Sequence, residues 1–151
     1  MPVAHLDFFL DLSKAHAIAK RRFEAELGGL HGLGLSDLQL LLTLEQAPGR
    51  RLRRIDLAQQ LGVTASGVTW MLRPLRKRRL VSSEASVDDA RVAFAVLTEG
   101  GRRLLADALP SARRLATELL QPYLGKQDLE DVAKLMARVS CRAADRGRSA
   151  V

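Results

Sequence analysis

Between residues 65 and 79 of this sequence, hydroxyl, aromatic and basic side chains recur at the spacing of one helical face. They are Ser66, Thr69, Trp70, Arg73 and Lys77, at steps i, i+3, i+4, i+7 and i+11. Arg and Lys bind phosphate, Arg also forms paired hydrogen bonds with guanine, and a hydroxyl can bond to a phosphate or a base edge. No acidic residue lies between positions 65 and 83. The pattern therefore predicts a surface that binds a polyanion.

The net charge of the chain is concentrated around this segment. The 151 residues carry 24 Lys or Arg and 17 Asp or Glu, a formal charge of +7. Residues 50–91 contain ten of those basic residues and four of the acidic ones, so they account for +6. A solvated basic face, or a genome that favours arginine codons, is the simpler explanation. Codon preference would spread arginine evenly along the chain, however, so the concentration favours a nucleic-acid contact.

Length and composition indicate one globular domain spanning residues 1–151. Hydrophobic residues make up 47% of the chain and charged residues 27%, which is typical of globular proteins. No apolar run reaches the roughly 18 residues of a membrane span, and no basic segment precedes an apolar one at the N-terminus. The single cysteine, Cys141, suits a reducing compartment, so we expect a cytoplasmic protein. The sequence shows no catalytic triad order, phosphate loop or metal-ligand cluster, so we expect neither an enzyme nor a cofactor or metal site.

The polar and basic face belongs to the second of two short helices that together form an expected helix-turn-helix. Gly62 ends the first helix, and Thr64 can cap the second, which runs from Ala65 to about Arg79. Pro74 predicts a bend or a looser last turn. The residues expected to face the core are Ile55, Ala58 and Leu61 in the first helix and Val68, Leu72 and Leu75 in the second.

Further helices and a β-hairpin are expected on both sides of this motif. The other helices are expected over 4–27, from Ser36 to residue 45, from Thr98 toward Leu120, and in a last segment that frays from Asp145. The glycine-rich residues 28–34 form a loop, after which Ser36 and Gln39 make a capping box. "VSSEAS" and "RVAFAVLT" alternate as strands around "VDDA", and Leu52 is expected to pair in their sheet. Pro110 is a candidate kink in the long helix.

The order of these elements and three motifs resemble the MarR family of bacterial transcriptional regulators. The motifs are "LAQQLGVTASGVTWMLRPLRKRRLV", then Asp89-Ala90-Arg91, then "VLTEGGRRLL". The resemblance implies a mostly α fold with a small β-hairpin, in which a winged helix-turn-helix (about 36–98) is flanked by N- and C-terminal dimerisation helices (about 4–28 and 99–145). It also implies an obligate homodimer, recognition helices in adjacent major grooves, wings in the minor groove, and often a small anionic aromatic ligand that releases DNA.

Two departures from the family pattern lie in the recognition helix. Arg79 stands where the family usually has the glycine that ends this helix, so the turn is expected to differ. Trp70 and Arg73 occupy places where Arg and Asp are frequent, so operator preference and ligand coupling are expected to deviate. Three positions stay open for the Trp70 indole: in the core under the wing, against a sugar or thymine methyl of DNA, or in the wall of a ligand pocket.

The expected contacts to double-stranded DNA divide into phosphate contacts and base contacts. Arg73 is expected to bind guanine through two hydrogen bonds. Arg91 is expected to reach the minor groove with its guanidinium held by Asp89, the alternative being a salt bridge within the hairpin. The arginines at 50–54 are expected to be partly structural. The predicted DNA-binding residues are Arg53, Thr64, Ser66, Thr69, Trp70, Arg73, Arg76, Lys77 and Arg91.

The predicted function is that of a sequence-specific DNA-binding regulator, a homodimeric repressor at a palindromic operator that a small aromatic or phenolic effector releases. The end helices are more amphipathic than a small core can cover, so their free faces are expected to pair around a two-fold axis. His16 is the candidate for a ligand contact, and His5 lies too far along the helix for both to bind one metal ion. Two alternatives stay open: a basic winged helix with an architectural or protein-interaction role, and a redox sensor acting through Cys141.

Overall fold

The computed structural model describes residues 4–89 and 91–148, with side chains to residue 140. Six α-helices and three short β-strands follow one another in this part of the chain. They are α1 (His5–His31), α2 (Leu35–Gln46), β1 (Arg51–Arg53), α3 (Arg54–Leu61), α4 (Ala65–Lys77), β2 (Val81–Ala85), β3 (Ala93–Leu97), α5 (Glu99–Leu120) and α6 (Lys126–Arg148). The expected fold class, a winged helix-turn-helix between longer helices, is confirmed.

The three strands form one antiparallel sheet in the order β1-β3-β2. The β2–β3 hairpin is the predicted wing, with Val81 opposite Leu97 and Ala85 opposite Ala93. Leu52 lies opposite Ala95 in the β1–β3 pair, so the prediction that it joins the sheet is confirmed. The sheet therefore fixes the wing beside α3 and α4.

The junction between α1 and α2 differs from the sequence expectation. The predicted loop at 28–34 is confirmed only at residues 32–34 and is wrong at 28–31, because α1 continues to His31 and ends at Gly32, whose φ is 65°. The predicted cap at Ser36 is also wrong, since Gly34 precedes the helix and its N–H donates to Asp37 Oδ2 at 2.9 Å. The cap therefore lies two residues before the predicted one, with the Asp37 carboxylate in the role that was expected of the Gln39 side chain.

The core is built mostly from leucines and lies between α2 and the helices around it. Val68, Leu72 and Leu75 of α4 are buried as predicted, on a helix that packs against α3 and α2. Ile55 was expected to face inward but is 67% exposed, and Leu57 takes its place in the core. The other fully buried side chains include Leu27, Leu33, Leu40, Leu41, Leu44 and Leu115.

The helices that flank the winged helix are α5 and α6 on its C-terminal side and α1 on its N-terminal side. Thr98 caps α5 as predicted, because its Oγ1 accepts a hydrogen bond from the N–H of Gly101 at 3.0 Å. α5 continues as one helix through Pro110. Among its described side chains, which end at residue 140, α6 leaves an apolar row exposed, formed by Leu129, Val132, Leu135 and Val139. α1 likewise exposes apolar side chains in its first half, which are Leu6, Phe8, Phe9, Leu10 and Leu12.

Candidate nucleic-acid interface

The turn between α3 and α4 sets the direction of the basic helix. Gly62 has a φ of 66°, a left-handed conformation that glycine adopts without steric cost, and this ends α3. Thr64 Oγ1 then accepts a hydrogen bond from the N–H of Gly67 at 3.0 Å, which begins α4. The structure thus gives Thr64, a predicted DNA contact, a capping role at the helix end.

The outer face of α4 carries all five residues of the predicted pattern. Ser66, Thr69, Trp70, Arg73 and Lys77 are exposed, while the residues on the opposite side are buried. The Thr69 hydroxyl donates to the carbonyl of Ala65 at 3.1 Å. We call these five residues, together with Arg76, the recognition face. α4 ends at Lys77, two residues before the predicted end.

Trp70 lies on this face and not in the core. Its side chain is 70% exposed, which rules out the interpretation that the indole folds under the wing. The Arg73 guanidinium carbon lies 5.8 Å from the centroid of the Trp70 ring, within the range of a cation–π contact. The two side chains whose types depart from the family pattern are therefore neighbours.

The basic side chains at the end of the recognition face are free of acidic partners. Arg73, Arg76 and Lys77 surround a shallow open cavity of about 410 Å³. Within the part of the chain that the structure describes, none of the three takes part in an ion pair. Their positive charge is consequently directed to solvent, where it attracts an anion such as a phosphate.

A second group of charges, at the start of α5, forms ion pairs within the protein. Arg102 donates a hydrogen bond to Glu99 at 3.1 Å and lies 3.4 Å from Glu45. The bond from Arg102 lowers the pKa of Glu99 and raises the pKa of Arg102 itself. These charges neutralise one another, so they contribute to the junction of α2 and α5 and not to an anion site.

The four arginines at 50–54 are mostly engaged within the protein. Arg51 stacks on Phe94, with its guanidinium carbon 4.0 Å from the ring centroid. The polar partners are Glu45 for Arg50 (3.2 Å), Glu84 for Arg51 (3.2 Å), Asp56 for Arg53 (2.9 Å) and the Ser83 hydroxyl for Arg54 (2.7 Å). Arg53, the predicted DNA contact among them, is exposed but shares its charge with Asp56.

At the wing, the predicted pairing of Asp89 with the Arg91 guanidinium is not what the structure shows. Asp89 Oδ1 accepts a hydrogen bond from the backbone N–H of Arg91 at 2.9 Å. Arg91 itself is exposed, and among the described residues its guanidinium forms no ion pair. Ala90, the middle residue of the motif, lies outside the described residues. Asp89 therefore shapes the turn, which leaves the Arg91 side chain free.

Arg78 is a residue that the sequence analysis missed. Its guanidinium donates to the carbonyls of Gly32 at 2.6 Å and His31 at 3.2 Å. These bonds satisfy carbonyls at the end of α1 and connect that helix to the end of α4. No local signal indicates this role, because the partners lie 46 and 47 positions away along the chain.

The remaining candidates lie away from the recognition face. His16 is exposed on α1. Cys141 lies within α6, but its side chain is outside the described part. Among the described residues, no group of three or more His, Cys, Asp or Glu is arranged to hold a metal ion. No helix in the same part combines the length and apolar character needed to cross a membrane.

Comparisons with known proteins agree on one architecture. No family model matches the chain. The HTH-type transcriptional regulator MhqR of Bacillus subtilis is 25% identical over 138 residues, covering 91% of this chain and 92% of MhqR. The solved structure of Sco3205, a MarR family transcriptional regulator from Streptomyces coelicolor in complex with DNA, superposes with a TM-score of 0.80 at 23% identity, covering 88% of this chain and 83% of Sco3205. Bordetella bronchiseptica BpsR, whose DNA binding is regulated by 6-hydroxynicotinic acid, gives a TM-score of 0.75 at 18% identity, covering 85% of this chain and 89% of BpsR.

Proposed function

Since this chain has the winged-helix fold of the MarR family and resembles those regulators in its motifs, we propose that it is a sequence-specific DNA-binding transcriptional regulator. In this proposal it acts in the cytoplasm as a homodimeric repressor at a palindromic operator, and it is not an enzyme. A basic winged helix with only an architectural role is the competing possibility.

One observation carries the proposal: the recognition face is exposed and free of acidic residues. α4 directs basic and hydroxyl groups outward from a helix whose other side is anchored in the leucine core. An α-helix of this kind fits the major groove of B-DNA, where base edges are accessible. Arg76 and Lys77 would bind phosphates, Arg73 would bind a base, and Ser66 and Thr69 lie where the backbone approaches the groove.

The wing supports the same docking. Arg91 is exposed at the hairpin and its guanidinium is not engaged with Asp89. In winged-helix docking, such an arginine enters the minor groove beside the site that the recognition helix occupies. Thr64 and Arg53, at the start of α4 and before α3, would add contacts to the DNA backbone.

The homodimer is supported by the apolar surfaces at both ends of the chain. Phe9 and its neighbours on α1, and Val132 and its neighbours on α6, are exposed on helices that flank the winged helix. Rows of this kind on a single subunit indicate a protein interface. A two-fold pair of subunits would cover them and would present two recognition helices to half-sites about one DNA turn apart.

Regulation by a small effector is a separate component of the proposal and requires a cavity that can hold the ligand. A cavity of about 480 Å³ lies between the end of α5 and the start of α6, lined by Leu120, Leu124 and Leu129 with Lys126 at its edge. Apolar walls with one cation suit a small anionic aromatic molecule. His16 is not among the residues that line this cavity. Such a ligand would release DNA by favouring a dimer state whose recognition helices no longer match the two half-sites.

Gel shifts against the DNA that flanks the gene test the proposal. We expect a complex at physiological salt with one palindromic segment, and log K that falls with log salt at a slope of about −7 if the dimer neutralises about eight phosphates. Lys77→Ala should weaken binding to every sequence and reduce this slope by about 1 for each subunit. Arg103→Ala, which removes an exposed charge on α5, is the matched control and should change neither.

The outcomes separate the two candidate functions. Binding without sequence preference would contradict the regulator and favour the architectural role. Adding salicylate, a small anionic aromatic probe, to the same assay tests effector release. An unchanged complex at saturating salicylate would count against that component alone.

A further inference from the structure

We propose that Trp70 and Arg73 form one reading unit that selects a thymine and a guanine at neighbouring base pairs in each half-site. This inference rests on the proposed function and names the base step that the recognition face prefers. It follows from the distance between the two side chains, from their exposure and from the chemistry that each can offer to a base.

The short spacing of the pair favours neighbouring base pairs. Residues three apart on an α-helix are separated by about 4.5 Å along the axis, and neighbouring bases on one strand by about 3.4 Å. The guanidinium carbon of Arg73 lies 5.8 Å from the Trp70 ring centroid. Two groups held this close on an exposed helical face meet adjacent base pairs, and not pairs several steps apart.

The indole of Trp70 limits which base it can select. It offers a wide apolar surface and a single donor, Nε1–H, with no acceptor. In the major groove, the C5-methyl group of thymine is the one apolar group among the four bases. A tryptophan that is 70% exposed leaves most of this apolar surface in water, and contact with the methyl group would remove part of it.

Arg73 supplies the complementary hydrogen bonds. Its planar guanidinium matches the O6 and N7 acceptors of guanine. The indole beside it restricts the guanidinium before DNA arrives, so less side-chain freedom is lost on binding. Since no carboxylate in the described part of the chain forms an ion pair with Arg73, these donors are available.

No residue of α4 carries a side-chain amide that could recognise adenine. Adenine is read directly by Asn or Gln, and the chain has no Asn, while α4 has no Gln. The Thr69 hydroxyl already donates to the Ala65 carbonyl. The exposed face of α4 is therefore suited to thymine and guanine, and it would recognise an A·T pair through the thymine methyl.

The experiment begins with selection of binding sites from random duplexes by the full-length protein. We expect each enriched half-site to contain adjacent thymine and guanine. Replacing that thymine by deoxyuridine removes only the methyl group, and the loss of one such group, about 0.8 kcal/mol, corresponds to about fourfold weaker binding per half-site and about fifteenfold for two. Trp70→Ala should bind the thymine and deoxyuridine sites equally.

A second base replacement tests the guanine contact, and protein variants serve as controls. Replacing the guanine by 7-deazaguanine removes the N7 acceptor, and should weaken binding by the wild-type protein but affect Arg73→Ala, which has no donor at this position, much less. Lys77→Ala is the matched control. Loss of a phosphate contact should weaken binding to the thymine and deoxyuridine sites alike and preserve the ratio of the two affinities. Trp70→Ala is expected to fold, because the indole is exposed, and circular dichroism verifies this.

Three results would overturn the inference. Enriched half-sites without an adjacent thymine and guanine, or a wild-type protein that is insensitive to deoxyuridine at that position, would reject the reading unit and leave the proposed function intact. Uniform binding with no enriched sequence would reject the proposed function, and this inference with it.

Discussion

Arg79 adopts a backbone conformation that residues other than glycine rarely adopt, with a φ of 58°. Its N–H donates to the carbonyl of Arg76 at 2.9 Å, and its own carbonyl accepts from the Thr98 hydroxyl at 2.7 Å. The backbone is thus held from both sides, which explains how the turn after α4 forms without the expected glycine. The departure that the sequence showed at Arg79 therefore costs conformational energy and does not remove the left-handed turn.

The cost at Arg79 can be measured with two substitutions. Arg79→Gly and Arg79→Ala both remove the charge, but only glycine adopts a positive φ freely. We expect Arg79→Gly to be more stable than Arg79→Ala by about 0.5–1 kcal/mol, because the steric penalty is partly offset by glycine's larger entropy when unfolded. Urea unfolding monitored by circular dichroism at a fixed protein concentration gives the difference. Equal midpoints would mean that Arg79 is not strained.

At the scale of elements, the start of α5 packs closely against the turn that follows α4. A Cβ on Gly101 would lie 2.1 Å from the carbonyl oxygen of Leu80 and 2.7 Å from Leu97 Cδ1. That carbonyl also accepts a hydrogen bond from the backbone N–H of Thr98 at 3.1 Å. The absence of a side chain at Gly101 therefore allows α5 to approach the point where the wing begins. This explains the physical basis of "LTEGG", one of the motifs that carry the family resemblance.

Adjacent glycines provide a matched test of this close approach. Gly101→Ala is expected to destabilise the protein by about 1–3 kcal/mol, because the Cβ overlaps backbone that cannot move easily. Gly100→Ala is the control, since its Cβ would have no neighbour closer than 3.7 Å and alanine favours a helix. Urea unfolding under identical conditions compares the two variants. A Gly101→Ala protein as stable as Gly100→Ala would show that α5 does not need this contact.

At the scale of the whole molecule, periodic features were predictable and long-range partners were not. The helical period alone separates the buried Val68 from the exposed Arg73, so the recognition face could be predicted residue by residue. The end of α1 could not, because Gly28 and Gly29 stay helical despite the low helix propensity of glycine. Bonds such as Arg78 to Gly32 join distant segments, and no periodicity signals them.

The exposed apolar rows on α1 and α6 lead to a prediction about assembly. Phe9 is 57% exposed and Val132 is 43% exposed, and the proposed homodimer would bury both. Phe9→Asp or Val132→Asp would place a carboxylate without a partner in that interface, which costs several kcal/mol when a charge is desolvated. We expect either variant to shift the mass measured by light scattering from dimer toward monomer, or to lose helicity if the subunit does not fold alone. Operator affinity should fall in parallel, because a single recognition helix contacts only one half-site.

Ile55→Asp is the matched control for this test. Ile55 is 67% exposed on α3, so it receives the same change at similar exposure but lies outside the rows on α1 and α6. The mass of the Ile55→Asp protein should remain that of the wild-type dimer. Any effect of this variant on DNA binding does not matter here, because only the oligomeric state is compared. If Phe9→Asp and Val132→Asp keep the dimer mass as well, the end helices do not form the interface. The two recognition helices would then have to be paired through another surface, or the protein would read a single half-site.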